Sequence, residues 1–491
     1  MSAAAFDLIV IGGGINGAGV ARDAAGRGGK VLLLEARDLA SGTSSASTKL
    51  IHGGLRYLEY YEFALVREAL KEREVLWRIA PHIVRPLRFV LPWMPHLRSR
   101  WMLRLGLFLY DHIGGKESLP HAKGIDFAAH PAGAALDPAI ERGFEYSDLW
   151  DDDARLVALT ALDAHERGAQ IRTHTPATAI RREGELWHVE TPAGAFAGRA
   201  LVNAAGPGAD AIAELAGLKP AYSVRRVRGS HIVTRKLFDH PYAYIFQLPD
   251  TRIVFAIPYE EEFTLIGTTD VDHDGSLTRV EPSAEEIEYL CAAVSRYFRK
   301  PVTPPDVVWS YAGVRALVDD GSGKPEAATR GYRLPLSEPD EGAPILGVYG
   351  GKITSYRHLA QEAVDALAKR IPTLSGPAWT AHAPLPGGDF PHLRQAELIA
   401  GLRRDYPFLS ASEATRIGRA YGTRACAWLD NAKSWGDLGR TFGAGLSEAE
   451  IDYLRRIEWA TRAEDALWRR TKLGLHMSEA QRSAVAEFMG G

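Results

Sequence analysis

Glycines with the spacing of a dinucleotide-binding turn occur near the start of the chain. Gly12, Gly14 and Gly17 form the pattern G-x-G-x-x-G directly after an apolar run over residues 6–11. In this pattern the first glycine permits a tight turn, the second lets backbone N–H groups approach a pyrophosphate, and the third lets a helix contact a strand. A second apolar run ends in Glu35, whose carboxylate can accept hydrogen bonds from ribose hydroxyls. The order of strand, glycines, helix, strand and acid predicts a bound dinucleotide and leaves open whether it is FAD or NAD(P).

A hydroxyl-rich segment with a basic and aromatic continuation follows this unit. The run GTSSAS at 42–47 is by composition more typical of a surface loop, but its place after the second strand favours contact with the rest of the dinucleotide. Residues 52–57, HGGLRY, bring an imidazole, a guanidinium and a phenol together around a Gly-Gly pair. Because arginine binds through two parallel hydrogen bonds, this segment suits a phosphate or a carboxylate.

Length and composition restrict the classes of protein to which the chain can belong. A chain of 491 residues is long enough for two or three domains, and 46% hydrophobic with 24% charged residues is ordinary for a globular fold. A net charge of −3 indicates no general affinity for nucleic acid. Two cysteines, Cys291 and Cys426, make neither a disulfide framework nor a metal cluster, so we expect a reducing compartment. We expect no presequence, since no Arg-rich or signal-like stretch precedes the first strand. We also expect no membrane-spanning helix, since no stretch of about 18 or more apolar residues occurs.

The middle of the chain predicts the elements that must position these groups. Residues 151–167 are typical of an amphipathic helix with an acidic first turn. Residues 170–209 alternate as strands and end in a second glycine turn at 206–208. Strand-like runs between residues 220 and 310 indicate an antiparallel sheet under a substrate cavity.

A further strand and helix are predicted near residue 350. Gly350 and Gly351 precede an amphipathic helix that Thr354 or Ser355 can cap, with Lys352 at its N-terminus. Beyond a segment rich in proline and glycine, residues 393–489 are predicted to be helical.

Seven segments carry a resemblance to a known family. They are IGGGINGAGVARDAAGRG (11–28), TSSASTKLIHGGLRYLEYYEF (43–63), GFEYSDLWDDDARL (143–156), GSHIV (229–233), GTTDV (267–271), GVRAL (313–317) and GGKITSYRHLA (350–360). Together they resemble the FAD-dependent sn-glycerol-3-phosphate dehydrogenases of the aerobic bacterial type. The resemblance covers nearly the whole chain, including the last hundred residues.

The resemblance implies an α/β fold in three parts. A Rossmann-type FAD-binding domain, similar to those of glutathione reductase and D-amino-acid oxidase, would comprise residues 1–75, 147–219 and 310–372. An antiparallel-sheet domain that faces substrate and membrane would comprise residues 76–146 and 220–309. A linker over 373–392 would lead to a C-terminal helical cap over 393–491.

The resemblance also implies overlapping sets of site residues. Those for FAD are Gly12, Gly14, Asn16, Gly17, Glu35, Thr43, Ser44, Ser45, Ser47, Lys49, Leu50, His52, Gly53, Ala177, Gly206, Gly351, Lys352 and Thr354. Those for catalysis are His52, Arg315 and Lys352. Those for the substrate are Arg56, Tyr57, His231, Arg330 and Thr354.

In that family, sn-glycerol 3-phosphate is oxidised to dihydroxyacetone phosphate. A hydride would leave C2 for flavin N5 while a base removes the hydroxyl proton, and electrons would pass to a membrane quinone. We expect His52 to act as the base. Arg315 and Lys352 are expected at the developing oxyanion and the flavin. Expected around the phosphate are Arg56, Tyr57 and Arg330.

A basic and apolar segment predicts contact with a membrane surface. Between Glu74 and Asp111 no acidic residue occurs, whereas tryptophan and aliphatic residues alternate with Arg78, Arg85, Arg88, Arg98, Arg100 and Arg104. Such a segment suits an anionic lipid surface, and the alternative is a partly buried basic helical pair. With the resemblance, it predicts a peripheral protein on the cytoplasmic face of the bacterial inner membrane, and leaves a homodimer open.

Three other functions share parts of this pattern. A related oxidase would pass electrons to dioxygen, an amino-acid oxidase would bind a carboxylate in place of the phosphate, and a flavin-holding sensor would not turn over. A calcium loop is also matched in sequence by Asp270, Asp272, Asp274, Gly275 and Glu281. Because a predicted strand precedes it where a calcium hand needs a helix, we expect no metal.

Overall fold

The computed structural model describes residues 5–95, 97–115, 118–250, 252–318, 331–337 and 342–490, and only the backbone of Arg56, Glu59 and Tyr60. Its strands, in chain order, are β1 (Leu8–Ile11), β2 (Val31–Leu34), β3 (Leu50–Ile51), β4 (Val84–Pro92), β5 (Lys123–Asp126), β6 (Arg142–Asp151), β7 (Gln170–Arg172), β8 (Ala179–Glu183), β9 (Leu186–Thr191), β10 (Gly194–Gly198), β11 (Leu201–Asn203), β12 (Val224–Arg235), β13 (Ala243–Gln247), β14 (Ile253–Tyr259), β15 (Phe263–Gly267), β16 (Val271–Asp272), β17 (Val307–Val318), β18 (Tyr332–Arg333), β19 (Leu336–Ser337), β20 (Ile345–Gly347), β21 (Tyr349–Gly350), β22 (Thr441–Gly443) and β23 (Leu446–Ser447). Its helices are α1 (Ile15–Gly26), α2 (Phe63–Ile79), α3 (Arg100–Ile113), α4 (Asp153–Glu166), α5 (Ala209–Leu215), α6 (Ala284–Ser295), α7 (Tyr356–Ala368), α8 (Gln395–Asp405), α9 (Ala411–Tyr421), α10 (Cys426–Leu429), α11 (Glu448–Ile457) and α12 (Glu479–Met489).

A six-stranded sheet carries the glycine turn. Its order is β19-β20-β11-β1-β2-β7, and its neighbours are parallel except β19 with β20. Leu8 and Val10 face a core built with helices α1, α4 and α7, while Ile9 and Ile11 face a core under the antiparallel strands β8 to β10. Because successive side chains alternate between the faces of a strand, a sheet covered on both faces needs a continuous apolar run. The predicted Rossmann-type α/β fold is confirmed.

Helix α4 corrects one prediction. Every residue from Asp153 to Ala164 is buried, so the helix is not amphipathic. It packs between α1 and the C-terminal region, and its charges are neutralised by other elements. The buried pairs are Lys49–Asp153, Arg155–Glu458 and Arg22–Asp163. The charged positions suggested an exposed face because their partners are remote in sequence.

A mixed ten-stranded sheet forms the other half of the fold. Strand β12 pairs antiparallel with β15, β16 and β17, and the sheet continues from β15 through β14, β13, β4 and β6 to β3. The antiparallel strands expected between residues 220 and 310 are present as β12 to β16. Strand β17 pairs with β12 along its length and not with the six-stranded sheet, although the predicted division places residues 310–372 in the cofactor domain. The division into domains itself stays a prediction.

Helix α3 has one buried and one exposed apolar face. Leu103 and Leu107 lie in the core beneath the ten-stranded sheet. On the other side Trp101 is 81% exposed, Leu105 58% and Phe108 56%. In the described part of the chain, no helix combines the length and hydropathy needed to cross a bilayer.

The C-terminal region joins the first sheet through an ordered segment. Residues 373–392, predicted as a linker, run along α1, where Trp379 Nε1 donates to Asp23 O at 3.2 Å and Arg22 Nη2 donates to Ala383 O at 2.8 Å. The predicted helices over 393–489 are present as α8 to α12 and bury cores of their own.

Candidate active site

The first turn of the chain needs glycine for two different reasons. Gly12 has φ +114°, and a Cβ there would lie 2.5 Å from Ala204 O. At Gly17 a Cβ would lie 1.9 Å from Gly12 O, so helix α1 touches the turn directly. At Gly14 the described part of the chain leaves more room, since a Cβ would meet there only Ser44 Oγ, at 3.1 Å. The space beside Gly14 therefore belongs to a cavity and not to the packed core.

That cavity has a volume of about 1150 Å³ and opens at the carboxyl ends of β1, β2 and β11. Ligands of parallel α/β sheets bind at this edge. The cavity brings together most of the predicted site residues. Those lining it are Gly12, Gly14, Asn16, Glu35, Thr43, Ser44, Ser47, Leu50, His52, Tyr57, Ala177, Gly206, Arg315, Gly351, Lys352 and Thr354.

Two features of the turn fit a dinucleotide. Helix α1 begins at Ile15, and Gly14, Ile15 and Asn16 line the cavity, so the positive end of the helix faces it. The Asn16 Oδ1 atom is buried there without a hydrogen-bond partner among the described residues. Glu35 also lies at this edge, where Oε2 accepts from Gly13 N at 2.6 Å and Oε1 from Arg37 N at 2.8 Å. Sequence reasoning did not foresee that Glu35 fastens the glycine turn.

The hydroxyl-rich segment divides its residues between cavity and support. Thr43 Oγ1 donates to Val314 O at 2.5 Å, and Ser44 Oγ accepts from Ile15 N at 3.0 Å. Ser47 Oγ donates to Asp153 at 2.8 Å. Ser45 does not line the cavity in the described structure.

Lys49 supports this loop and does not line the cavity. It is buried, with Nζ donating to Asp153 Oδ1 at 2.8 Å and to Ser45 O at 3.1 Å. Although burial alone would lower it, the Asp153 carboxylate raises the pKa of Lys49 above its usual value. Lys49 therefore stays charged and fixes the loop onto α4.

Candidate catalytic groups meet where β3 and α7 approach each other. Thr354 Oγ1 lies 3.4 Å from His52 N and 3.5 Å from His52 O. Lys352 Nζ lies 3.7 Å from the centroid of the Tyr57 ring. All four residues line the cavity. Ser355 is the N-cap residue of α7, one of the two positions predicted, but a 3₁₀ turn over Ile353–Ser355 leads into the helix and the Ser355 side chain makes no capping hydrogen bond within the described residues.

Arg315 approaches from β17 and is held by the segment that follows β15. Its Nη1 contacts Asp270 and donates to Thr269 O at 3.2 Å, while Nη2 donates to Thr268 Oγ1 at 3.0 Å. Asp270 belongs to the apparent calcium pattern, and Asp272 of that pattern pairs with Arg225 at 2.8 Å. As expected, a strand precedes this segment.

His231 lies behind this site and outside the cavity lining. It is buried, stacks on Tyr311 with ring centroids 4.8 Å apart, and places Nε2 2.9 Å from Thr48 Oγ1. Burial, then the cations of Arg315 and Lys49, hold the pKa of His231 well below its usual value. His231 is therefore neutral near pH 7. Gly17 and Gly53 also stand outside the cavity lining of the described structure, as packing positions.

Two predicted phosphate residues cannot be placed by geometry. Arg330 lies outside the described residues, and Arg56 is described only by its backbone, in a 3₁₀ turn over Leu55–Tyr60. Their roles stay predictions.

Two groups of cavity residues were missed by sequence reasoning. The C-terminal region contributes Arg462, Glu464, Asp465 and Arg469. Strand β6 contributes Asp148, whose pKa burial raises to about 6 despite the neighbouring Arg73 and Tyr110. No local motif indicates a site role for the four C-terminal residues or for Asp148. Asp148 does lie in the segment GFEYSDLWDDDARL, which carried part of the resemblance.

Known protein families match both halves of this architecture. Residues 7–343 match the family described as FAD dependent oxidoreductase, and residues 378–490 match the one described as C-terminal domain of alpha-glycerophosphate oxidase. The protein belongs to the FAD-dependent oxidoreductases, and the dinucleotide is FAD.

Comparison with individual relatives identifies the group within this family to which the chain belongs. The chain is 50% identical over 490 residues to glycerol-3-phosphate dehydrogenase of Pseudomonas aeruginosa, covering 99% of this chain and 95% of that protein. It is also 50% identical to D-erythritol 1-phosphate dehydrogenase of Brucella abortus, covering 98% and 97%. A solved structure of glycerol-3-phosphate dehydrogenase from Bacillus halodurans complexed with FAD matches with a TM-score of 0.76 at 25% identity, covering 100% of this chain and 94% of that chain. The protein is an FAD-dependent member of the glycerol-3-phosphate dehydrogenase family.

Proposed function

We propose that the protein oxidises sn-glycerol 3-phosphate to dihydroxyacetone phosphate and passes the electrons to a membrane quinone. The observation that carries the proposal is identity of 50% over essentially the whole chain to a glycerol-3-phosphate dehydrogenase. The cavity agrees with it, because His52, Tyr57, Arg315, Lys352 and Thr354 converge on the space beside the dinucleotide turn.

The first task of the chain is to hold the cofactor. The turn at Gly12 to Gly17 and the N-terminus of α1 would receive the pyrophosphate, and Glu35 would accept from the ribose. Thr43 and Ser44 would line the remainder. When bound, FAD supplies the acceptor for the hydride that leaves the oxidised carbon.

The second task is to accept the hydroxyl proton. His52 lines the cavity, whereas His231 does not and is buried beside two cations. Protonating His231 would place a third positive charge in that buried cluster, which is costly. This comparison favours His52 as the base and gives His231 a supporting place between Thr48 and Tyr311.

The third task is to stabilise negative charge. Lys352 stands just before α7, so its ammonium and the positive end of the helix lie at the same edge of the cavity. Arg315 is kept in place by its bonds to Thr268, Thr269 and Asp270. Groups fixed before reaction stabilise charge without reorganisation, so both cations suit the developing oxyanion and the reduced flavin.

The phosphate would be bound by Arg56 and Arg330. We expect Arg330→Lys to raise KM, because lysine offers a point charge where arginine offers two parallel bonds. Arg56→Ala and Arg330→Ala should each lower kcat/KM for glycerol 3-phosphate about 10–100-fold, the worth of a charge-assisted hydrogen bond. If the phosphate also positions C2, kcat will fall as well.

Glycerol is the matched substrate for this test because it lacks the phosphate. Its slow turnover should barely respond to either alanine variant, and the exposed Arg333→Ala serves as control. Equal proportional losses of kcat/KM for glycerol and glycerol 3-phosphate would show that these arginines support the flavin or the fold and do not bind the phosphate.

A second substrate is favoured by one specific observation. D-erythritol 1-phosphate dehydrogenase of Brucella abortus matches this chain with the same 50% identity. Both substrates are phosphorylated polyols, so the same base and clamp would serve either. Measuring kcat/KM for both with a soluble dye as acceptor decides between them, and a preference for the erythritol ester would replace the proposed substrate while keeping the chemistry.

Helix α3 would contact the membrane surface. Its outer face exposes Trp101, Leu105 and Phe108, and the exposed Arg98, Arg100 and Arg104 lie on or beside the same helix. Aromatic and aliphatic groups flanked by arginines suit the interface of an anionic bilayer. This surface supports the proposed transfer to quinone over transfer to dioxygen. A peripheral position on the cytoplasmic face of the inner membrane and a homodimer stay predictions.

Reversing the charges of α3 should release the protein from vesicles. Each arginine near the surface contributes about 1 kcal/mol of attraction, so replacing Arg98, Arg100 and Arg104 by Glu should abolish co-sedimentation with anionic vesicles. Turnover with a soluble dye should persist. Replacing the exposed Arg394, Arg403 and Arg404 by Glu makes the same charge change on and beside α8. Release by this control alone would place the membrane surface on the C-terminal helices.

A further inference from the structure

The turn that carries His52 rests on a buried hydrogen-bond chain that the proposed mechanism does not use. Gly53 N donates to Tyr110 Oη at 2.8 Å, and Tyr110 Oη lies 2.8 Å from both carboxylate oxygens of Asp148. Arg73 Nη1 donates to Asp148 Oδ1 at 2.9 Å. The three side chains come from α3, β6 and α2, and each is at most 2% exposed.

The chemistry of the chain fixes the direction of each bond. A phenol has one O–H to donate and lone pairs to accept, so Tyr110 can donate to Asp148 while it accepts from Gly53. The Arg73 guanidinium supplies the opposite charge that a buried carboxylate requires. From β4, the residue registered opposite Asp148 is the apolar Leu87, whereas Arg88 of that strand pairs with Glu145.

Packing leaves the turn little freedom around this bond. A Cβ at Gly53 would lie 2.6 Å from Leu70 and 2.9 Å from the Tyr110 ring, so the backbone lies directly against α2 and α3. Gly54 follows with φ +77°, a conformation that favours glycine. The backbone on the other side of the turn contacts Thr354, at His52. The Gly53 amide is thus a fixed point between the candidate base and the 3₁₀ turn that carries Tyr57.

We propose that Tyr110 and Asp148 are positioning residues for the turn His52–Gly54. Tyr110 holds the Gly53 amide, Asp148 orients the Tyr110 hydroxyl, and Arg73 anchors Asp148. Neither residue needs to touch the reacting atoms, since their effect reaches the substrate through the backbone of His52. The kinetic consequence rests on the proposed function, whereas the effect on the backbone does not.

Tyr110→Phe is the direct test, carried out on the full-length FAD-loaded enzyme. It removes one hydroxyl and leaves the ring in place. Amide exchange of a peptide spanning residues 50–54 should accelerate about 10–100-fold, because the buried Gly53 amide loses the hydroxyl oxygen that accepts its hydrogen bond. With glycerol 3-phosphate, kcat should fall about 10–100-fold while KM stays within about threefold, since misplacing a catalytic group affects orientation more than binding.

Tyr421→Phe is the matched control. Tyr421 is also buried, and its hydroxyl donates to the Glu450 carboxylate at 2.7 Å in the C-terminal region. It should lose comparable thermal stability with wild-type exchange at residues 50–54 and wild-type kcat. Should Tyr110→Phe not fold, Asp148→Asn keeps the side-chain volume and weakens the same chain.

The outcomes separate the support of the turn from its effect on turnover. Faster exchange together with the fall in kcat supports the positioning role. Wild-type exchange at residues 50–54 in Tyr110→Phe, or in Asp148→Asn if that variant must replace it, overturns the proposal. An equal fall of kcat in Tyr421→Phe also overturns it, because the effect would then be one of general stability. Faster exchange in an enzyme that no phosphorylated polyol reduces would contradict the proposed function and leave the support of the turn intact.

Discussion

Gly14→Val should give a folded protein that retains no FAD. The backbone at Gly14 is extended, with φ −79° and ψ −178°, a conformation that β-branched residues adopt readily. Among the described residues that are not adjacent in sequence, an added Cβ would meet Ser44 Oγ at 3.1 Å and no other atom within 4 Å. The fold can accept the side chain if the Ser44 hydroxyl shifts by a few tenths of an ångström, but the side chain would occupy the space in which the pyrophosphate approaches the backbone.

The measurement is the ratio of flavin to protein after purification, together with the melting temperature of the apoprotein. We expect FAD content below about a tenth of wild type, because close backbone approach to the pyrophosphate is lost. Gly17→Val is the contrasting variant. Its Cβ would lie 1.9 Å from Gly12 O, so it should damage the fold itself. A yellow, fully loaded Gly14→Val protein would show that the cofactor binds elsewhere.

Arg470→Met should destabilise the protein by about 3 kcal/mol, the lower end of the cost of removing one partner of a buried ion pair, because Arg469 Nε still pairs with Asp38 at 2.7 Å. Arg470 is fully buried, and its Nη1 and Nη2 donate to the two oxygens of Asp38 at 2.9 and 2.8 Å. Nη2 also donates to Glu458 O at 2.7 Å. Asp38 lies three residues after Glu35. The Arg470–Asp38 pair therefore connects the C-terminal region to the edge of the first sheet where the cofactor binds.

Urea unfolding of the apoprotein measures this effect without a contribution from the cofactor. Arg404→Met is the matched control, because the Arg404–Asp405 pair is exposed and should contribute only about 0–1 kcal/mol. A loss in Arg470→Met no greater than that of the control would contradict a structural role for the buried pair.

The same pair predicts a pH dependence with a definite sign. Although burial opposes it, Arg470 and then Arg469 hold the pKa of Asp38 below its usual value of 3.8. A lowered carboxyl pKa contributes stability that is present above the unfolded pKa and is lost as pH falls through the folded pKa. The deficit of Arg470→Met should therefore be full at neutral pH and should shrink below about pH 4, as Asp38 becomes protonated.

The parts of the fold that depend on local sequence could be predicted. The glycine turn follows from steric limits within a few residues, and the buried strands follow from continuous apolar runs. The candidate cluster around His52 and Lys352 came from a resemblance, and the cavity brings those residues together. The phosphate-binding roles of Arg56 and Arg330 stay predictions.

The parts of the fold that depend on pairing between residues remote in sequence could not be predicted. Asp270 and Arg315 are 45 residues apart, Tyr110 and Asp148 are 38 apart, and Asp38 and Arg470 are 432 apart. Each pair depends on strand order or on docking of the C-terminal region, which composition and periodicity do not encode. The same remoteness explains the error at α4, where buried partners removed the need for an exposed polar face.

The most direct test of the proposed function is anaerobic addition of glycerol 3-phosphate to the purified FAD-loaded protein while the absorbance of oxidised flavin is followed. The proposal predicts rapid and complete bleaching by glycerol 3-phosphate, slow bleaching by glycerol, and recovery of the absorbance when a quinone analogue is added. Air alone should restore it much more slowly. A flavin that glycerol 3-phosphate leaves oxidised would contradict the proposed activity.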